Sequence, residues 1–214
     1  RPGHRRRALR RRQSPAQRSS ESIEWEQSLV QFAGAHGWPV PVALRSTSGS
    51  RMIEHNGHCW VAAPKLPGEP QPEPTPAMYH NRGRLLARLH RDLAAFPPDT
   101  QKPGAGKSWE LDAWLAPSNI GTFNEVLAAF AFEEPDVSAL IRRYRYRNLR
   151  ELSRLHYPEL PDMPIHGDFQ GSNLLWSEGQ LTGLLDFDFA RRDARVCDLA
   201  TMLVPFEPLE LRFA

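Results

Sequence analysis

The chain has 214 residues, a formal net charge of +2 and 40% hydrophobic residues, a composition that predicts one globular domain or two small lobes that share a cleft. No apolar run approaches the length of a membrane span and no signal-peptide pattern opens the chain, so we expect no membrane partner. The two cysteines, Cys59 and Cys197, have neither disulfide-framework nor metal-site spacing, which predicts a cytoplasmic protein with buried thiols.

The N-terminal segment is rich in arginine and reads RPGHRRRALRRRQSPAQR. Clustered arginines are typical of nucleic-acid-binding arms, because they neutralise phosphates. They are equally typical of a disordered tail that has too little apolar surface to fold. Aromatic residues are absent from the segment, so we predict a disordered basic tail over residues 1–21 and no nucleic-acid partner.

Helical spacing of apolar residues begins after this tail. Trp25, Leu29 and Phe32 predict a helix over Ser22–Ala35, which Gly37 then ends. Three strands are expected next, at Val40–Leu44, Arg51–His55 and His58–Ala63. The dipeptide Asn56-Gly57 joins the last two and predicts a tight hairpin, because both turn positions require a positive φ.

The middle of the chain is predicted to be helical. An apolar stripe predicts a helix from Met78 to Leu93, and Asp136 is expected to cap a second helix that reaches Leu155. Its apolar residues are expected on a buried side: Val137, Leu140, Ile141, Tyr144, Leu152 and Leu155. The segment Gly104–Ser108 looks like a phosphate-binding loop, but a Walker A motif requires glycine where Gln101 stands, so we reject that interpretation.

The most informative stretch is Pro164-Ile-His-Gly-Asp-Phe-Gln-Gly-Ser-Asn-Leu-Leu-Trp176. Asp168 and Asn173 lie five residues apart in one loop, and Asp186 follows the next apolar run, Leu181–Leu185. Phosphoryl transfer needs one carboxylate near the substrate hydroxyl, and an amide and a second carboxylate near the metal. A hairpin with aspartates at its turns is the alternative, and it explains none of this spacing.

The pattern H-G-D-x-x-x-x-N, then L-L-D-F-D, then Asp198-Leu-Ala200 resembles the aminoglycoside phosphotransferase family of small-molecule kinases, which has choline-kinase-like and homoserine-kinase-like members. The likeness runs from about Ser22 to Pro205. It implies an α+β, protein-kinase-like two-lobe fold with a truncated, β-rich N-lobe and a mainly helical C-lobe. In these terms residues 22–68 form a partial N-lobe with the hinge, and residues 69–214 form the C-lobe.

The resemblance also implies the cofactors ATP and Mg²⁺ and a set of site residues. Asp168 is the expected catalytic base or hydroxyl-orienting carboxylate, His166 braces the catalytic loop, and Asp198 holds that loop from the following helix. The expected metal-binding residues are Asn173 and Asp186, with Asp188 as a further metal ligand or supporting group.

On the nucleotide side, the resemblance implies roles for Glu26, Ala63 and Leu66. In the family, a helical glutamate pairs with a strand lysine that binds the nucleotide, and hinge backbone groups meet the adenine. The alternatives are an exposed helix charge for Glu26 and a plain linker for the hinge. Neither a Gly-rich loop nor a strand lysine precedes Glu26, so the chain resembles a family member trimmed at both ends.

The expected function is ATP- and Mg²⁺-dependent phosphorylation of a hydroxyl on a small molecule, with aminoglycoside-, homoserine- and amino-alcohol-like acceptors all open. A protein kinase is a rival, disfavoured because His-Gly-Asp168 replaces His-Arg-Asp and no A-P-E segment follows Asp186. A truncated, catalytically impaired remnant or pseudokinase is the second rival. The oligomeric state is left open.

Overall fold

The computed structural model of the protein describes residues 19–70, 75–97, 101–110, 112–113 and 121–203, together with the backbone of residues 9–13. Its helices are α1 (Ser20–Ala35), α2 (Pro76–Leu93), α3 (Phe123–Phe130), α4 (Pro135–Arg154) and α5 (Val196–Leu203). Within the described residues, none of the helices combines the length and the apolar character that crossing a membrane requires.

The N-terminal sheet has the strand order β1-β3-β2, formed by β1 (Leu9–Gln13), β2 (Met52–His55) and β3 (His58–Pro64). Strand β1 pairs antiparallel with β3, with Leu9 opposite Pro64. The prediction of a disordered tail over residues 1–21 was therefore wrong for this strand, and also for α1, which begins at Ser20. A strand joins a sheet edge through backbone hydrogen bonds, so its composition did not reveal the pairing.

The hairpin between β2 and β3 is confirmed. Asn56 and Gly57 have φ values of 52° and 71°, the positive values that a two-residue turn of this kind requires. The strand predicted at Val40–Leu44 is not formed, because its hydrogen bonds make no ladder. The Val42 N–H donates locally to the Val40 carbonyl at 2.9 Å, and the Leu44 N–H donates to the Ala62 carbonyl of β3 at 2.8 Å.

The segment after β3 connects this sheet to a second one. Strand β3 ends at Pro64, and the short strand β4 (Glu69–Pro70) pairs antiparallel with β6 (Leu174–Ser177). The Thr182 hydroxyl also donates to the Pro67 carbonyl at 2.7 Å. The predicted hinge segment is therefore fixed to the second sheet as it leaves the first.

The second sheet carries the hairpin of β6 and β7 (Gln180–Leu184), in which Leu174 lies opposite Leu184. A two-stranded sheet follows, in which β5 (Asp162–Ile165) pairs antiparallel with β8 (Arg191–Ala194). The chain between β5 and β6 and the chain between β7 and β8 are thereby held close to each other.

One apolar core joins α1, α2 and the β6–β7 hairpin. Its fully buried members come from all three elements and include Leu29, Ala33, Leu89, Leu93, Leu174 and Leu184. The Phe96 ring, which follows α2, makes edge-to-face contacts with Trp25 and Phe32 of α1 at centroid distances of 5.7 and 5.3 Å. Helix α1 therefore packs directly on the C-terminal part of the protein.

Two expectations for α4 were wrong. The helix begins one residue before Asp136, which lies in its first turn, and the N-cap position belongs to Glu134 without a side-chain hydrogen bond. Of the side chains expected to be buried, Leu152 is half-buried and five are exposed: Val137, Leu140, Ile141, Tyr144 and Leu155. Periodicity shows that a helix has an apolar face, but not whether a neighbour covers it.

Candidate active site

The loop between β5 and β6, residues 166–173, is held by one buried carboxylate. Asp198 lies in the first turn of α5 and is fully buried. Its Oδ2 accepts a hydrogen bond from the His166 N–H at 2.9 Å, and its Oδ1 accepts one from the Gly167 N–H at 2.6 Å. The ring Nε2 of His90 on α2 lies 2.9 Å from Oδ2. The Asp198 carboxylate thus joins α2, α5 and the start of this loop.

His166 is fully buried, and both of its ring nitrogens contact the backbone. The Asp168 N–H donates to Nδ1 at 3.2 Å, so Nδ1 is the unprotonated nitrogen, and Nε2–H donates to the Leu185 carbonyl at 2.9 Å. Burial lowers the pKa of the imidazole below its ordinary value, although the Asp198 charge opposes that shift. The neutral ring therefore connects the loop to the residue before Asp186.

Only glycine fits the backbone conformation and the close packing at position 167. Its φ is 80°, and an added Cβ would overlap the carbonyl oxygen of Phe189. The loop turns sharply at this position, which brings Asp168 back toward the end of the β6–β7 hairpin.

Asp168 and Asn173 are in direct contact. The Asn173 Nδ2 donates to Asp168 Oδ2 at 2.7 Å and to the Asp168 carbonyl at 2.9 Å, and Gln170 Nε2 donates to the same carboxylate at 3.0 Å. A carboxylate only accepts hydrogen bonds, so the NH₂ end of the Asn173 amide must face it. The amide oxygen is then the end of Asn173 that can coordinate a cation.

Asp186 and Asn173 lie at the same end of the β6–β7 hairpin. Leu174 pairs with Leu184, and the Leu185 N–H donates to the Asn173 carbonyl at 2.9 Å. Asp186 has the left-handed φ of 64°, which aspartate tolerates better than most residues. Sparsely populated backbone conformations of this kind occur disproportionately at functional sites.

Asp186 and Asp188 both lie beyond the end of β7 and not on a strand. Strand β7 ends at Leu184, and Phe187–Phe189 form a short 3₁₀ turn. Both aspartates nevertheless line the same cavity.

This cavity has a volume of about 450 Å³ and lies between α1, the end of β3 and the Asp186–Asp188 segment. Glu26, Ala63 and Leu66, the residues expected on the nucleotide side, line it together with Asp186 and Asp188. Glu26 is only 6% exposed, so the alternative of an exposed helix charge is wrong. His166, Asp168 and Asn173 do not line the cavity and lie in the adjoining loop. Asp198 does not line it either and holds that loop from α5.

Lys102 is a site residue that sequence reasoning missed. It is 4% exposed, its Nζ lies 3.6 Å from Glu26 Oε2, and it donates to the Asp188 carbonyl at 2.5 Å. It lies two residues before Gly104–Ser108, the segment for which the phosphate-binding-loop interpretation was rejected. No local pattern marks it, because its partners lie 76 residues before it and 86 residues after it in the chain.

Among the described residues there is no group of three or more His, Cys, Asp or Glu side chains arranged to hold a metal ion. The smaller set of Asn173 and Asp186 provides one amide oxygen and one carboxylate. Such hard oxygen ligands suit Mg²⁺, which usually keeps several waters and binds through few protein groups together with substrate phosphates. The residues present therefore fit a magnesium ion that is shared with a nucleotide.

Comparison with known proteins agrees with this arrangement. The sequence model of the phosphotransferase enzyme family matches residues 2–213 of this chain. A homoserine kinase of Polaromonas naphthalenivorans is 28% identical over 186 residues, which cover 86% of this chain and 54% of that protein. The chain thus spans about half the length of the curated relatives it matches.

Two solved structures show the same fold. Amicoumacin kinase hAmiN, in complex with AMP-PNP, Ca²⁺ and Ami, gives a TM-score of 0.63 at 16% identity, covering 93% of this chain and 59% of that one. An aminoglycoside phosphotransferase from Streptomyces rimosus, in complex with ADP and streptomycin, gives a TM-score of 0.57 at 16% identity. This match covers 91% of this chain and 70% of that one.

The fold and the catalytic-loop arrangement define a protein of the α+β, protein-kinase-like class, which confirms the predicted fold class. The chain belongs to the phosphotransferase enzyme family, and the resemblance drawn from the sequence is confirmed.

The need for glycine at position 167 can be tested against Gly179, which has a similar φ of 74° but open space around an added Cβ. Gly179→Ala should lower the free energy of unfolding by about 1–2 kcal/mol, the cost of the left-handed backbone alone. Gly167→Ala should cost at least about 1 kcal/mol more, because overpacking adds to that cost. Denaturant unfolding measures both, and equal losses would contradict the close approach to Phe189.

The buried neutral His166 makes stability depend on pH. Its pKa is lowered in the folded protein, so acidification protonates the unfolded chain first, and stability is lost as the pH falls below about 6.5. The slope for this one proton is at most about 1.4 kcal/mol per pH unit. We expect His166→Gln to show a shallower decline between about pH 7 and pH 5 in denaturant unfolding.

The control for this measurement is His80→Gln, because His80 on α2 is exposed. Its pH dependence should match that of the unmodified chain. An unchanged slope in His166→Gln would show that the imidazole is not held neutral.

Proposed function

We propose that the protein is an ATP- and Mg²⁺-dependent phosphotransferase that acts on a hydroxyl of a small molecule. The observation that supports this proposal most strongly is that the nucleotide-side residues and the loop of Asp168 and Asn173 adjoin one cavity. Glu26, Ala63 and Leu66 line its nucleotide side, and Asp186 lies where this cavity meets the loop of Asp168 and Asn173.

In this proposal, Asp168 orients the acceptor hydroxyl and accepts its proton as the oxygen attacks the γ-phosphorus of ATP. The bond from that phosphorus to the β–γ bridging oxygen breaks, and ADP leaves. Its carboxylate is held by Asn173 and Gln170, so it is fixed before the substrate arrives. Positioning of this kind supports catalysis, because phosphoryl transfer depends mainly on alignment and charge stabilisation. His166 transfers no proton and keeps the loop in place.

Asn173 and Asp186 would hold the magnesium ion, and Asp188 would support it from the same cavity wall. Bound Mg²⁺ supplies positive charge that neutralises the nucleotide phosphates. Backbone groups near Ala63 and Leu66 would receive the adenine. The nucleotides named with the structural neighbours, AMP-PNP and ADP, support a nucleotide in this class of fold.

Among the acceptors, homoserine is the first to test, because the curated relatives at 24–29% identity carry the name homoserine kinase. The structural neighbours that bind larger amino-containing compounds support the fold alone and leave aminoglycosides and amino alcohols as further candidates. We also place the protein in the cytoplasm, where its two cysteines, both unpaired, would stay reduced.

The test is transfer of the γ-phosphoryl group of ATP to homoserine, an aminoglycoside or choline, with and without Mg²⁺. Asp168→Asn should lower kcat by about 10²–10⁴-fold, the usual contribution of a positioned proton acceptor. Asp186→Asn should abolish the Mg²⁺-dependent rise in melting temperature with ATP, whereas Asp168→Asn should retain it.

The matched control is Glu54→Gln, an exchange of carboxylate for amide on the exposed side of β2. It should leave transfer and the ATP-dependent melting shift unchanged. A melting shift without transfer to any acceptor would make the chain a nucleotide-binding relative without activity. Absence of both effects in a chain that unfolds cooperatively would refute the proposal.

A further inference from the structure

Among the described residues, Lys102 is the one lysine that is buried. Its side chain is 5% exposed and that of Glu26, its partner, is 8% exposed. Lysine is rarely buried unless its charge is paired, because removing an ammonium from water is costly. The Glu26 carboxylate at 3.6 Å and the Asp188 carbonyl at 2.5 Å together compensate that cost.

These two partners belong to different parts of the fold. Glu26 lies on α1, which precedes β2 and β3 in the chain, and Asp188 lies in the 3₁₀ turn after Asp186. Both line the candidate nucleotide cavity, whereas Lys102 does not. The Lys102 bridge, formed by Lys102, Glu26 and the Asp188 carbonyl, therefore joins two residues of the cavity wall.

The segment that carries Lys102 is fixed at its other end. The Ser108 N–H and hydroxyl both donate to Asp193 Oδ2, at 2.9 and 2.7 Å, and the Lys107 ammonium lies 2.9 Å from Asp162 Oδ2. Asp193 and Asp162 belong to β8 and β5, two strands that pair with each other, and β5 leads directly into the loop of residues 166–173. Lys102 thus reaches the cavity wall from a rigid support.

We propose that Lys102 is a positioning residue for nucleotide binding: its ammonium holds Glu26 of α1 and the Asp186–Asp188 segment in one fixed arrangement. This inference rests on the proposed function. Lys102 acts through these two partners and does not itself contact the nucleotide. It links the cavity wall to the catalytic-loop sheet through a residue far from both in sequence.

The consequence is a specific kinetic effect. Without the ammonium, the turn that follows Asp186 loses a hydrogen-bond donor and Glu26 loses a buried charge partner, so both walls of the nucleotide cavity can shift. The acceptor side, which Asp168 and Asn173 form, keeps its own hydrogen bonds. Loss of Lys102 should therefore weaken the use of ATP more than the use of the acceptor.

The test compares Lys102→Met, Lys102→Arg and Arg84→Met. In Lys102→Met we expect the KM for ATP to rise by about tenfold or more, as is common for groups that orient ligands of a metal site, with a smaller change in the acceptor KM. Lys102→Arg should restore part of the ATP affinity, since it retains the charge. Arg84→Met removes an exposed positive charge on α2, so it should leave the KM for ATP unchanged.

Hydrogen exchange gives a readout that does not depend on nucleotide. The Leu185 and Ala190 amides donate to the Asn173 and Phe187 carbonyls, both at 2.9 Å, and bracket the Asp186–Asp188 turn. Their exchange should accelerate in Lys102→Met at matched global stability. If Lys102→Met does not fold, the double variant Glu26→Gln with Lys102→Met removes both buried charges and should show the same acceleration.

A purely structural Lys102 would lower the melting temperature but leave the KM for ATP and these amide exchange rates unchanged, and that result would overturn the inference. If the unmodified chain neither binds nor uses ATP, the proposed function fails. Exchange at Leu185 and Ala190 then decides alone whether the Lys102 bridge holds the turn.

Discussion

The site depends on one buried negative charge, the carboxylate of Asp198. A buried carboxylate is tolerated only where hydrogen bonds and charges replace the lost water. Here the backbone N–H groups of His166 and Gly167 and the ring of His90 surround it at 2.6–2.9 Å. Because these partners come from the catalytic loop and α2, satisfying the charge also fixes the loop against the helices.

Hydrogen bonds connect the loop that Asp198 holds to the rest of the site. His166 connects it to the Leu185 carbonyl, and Asn173 holds the Asp168 carboxylate while its own carbonyl accepts the Leu185 N–H. The left-handed backbone of Asp186 follows directly. The carboxylate proposed to orient the acceptor hydroxyl and two candidate metal ligands are therefore placed by one connected set of hydrogen bonds, as expected for a reaction that depends on alignment.

The sequence predicted what is local. The spacing of Asp168, Asn173 and Asp186 identified the loop motif, and Asn56-Gly57 predicted the hairpin of β2 and β3. Both features depend on residues that are close together in the chain. It missed the pairing of Leu9–Gln13 with β3 and the Lys102 bridge, since both join residues distant in the chain. It also misjudged the apolar face of α4, because periodicity does not say which neighbour covers a helix.

The most direct test of the account is a crystal structure of the chain with Mg²⁺ and a non-hydrolysable ATP analogue. We predict a cation on the Asn173 amide oxygen and the Asp186 carboxylate, with the adenine beside the backbone near Ala63 and Leu66. A nucleotide bound outside this cavity, or a cation held by other residues, would contradict the assignment of the site.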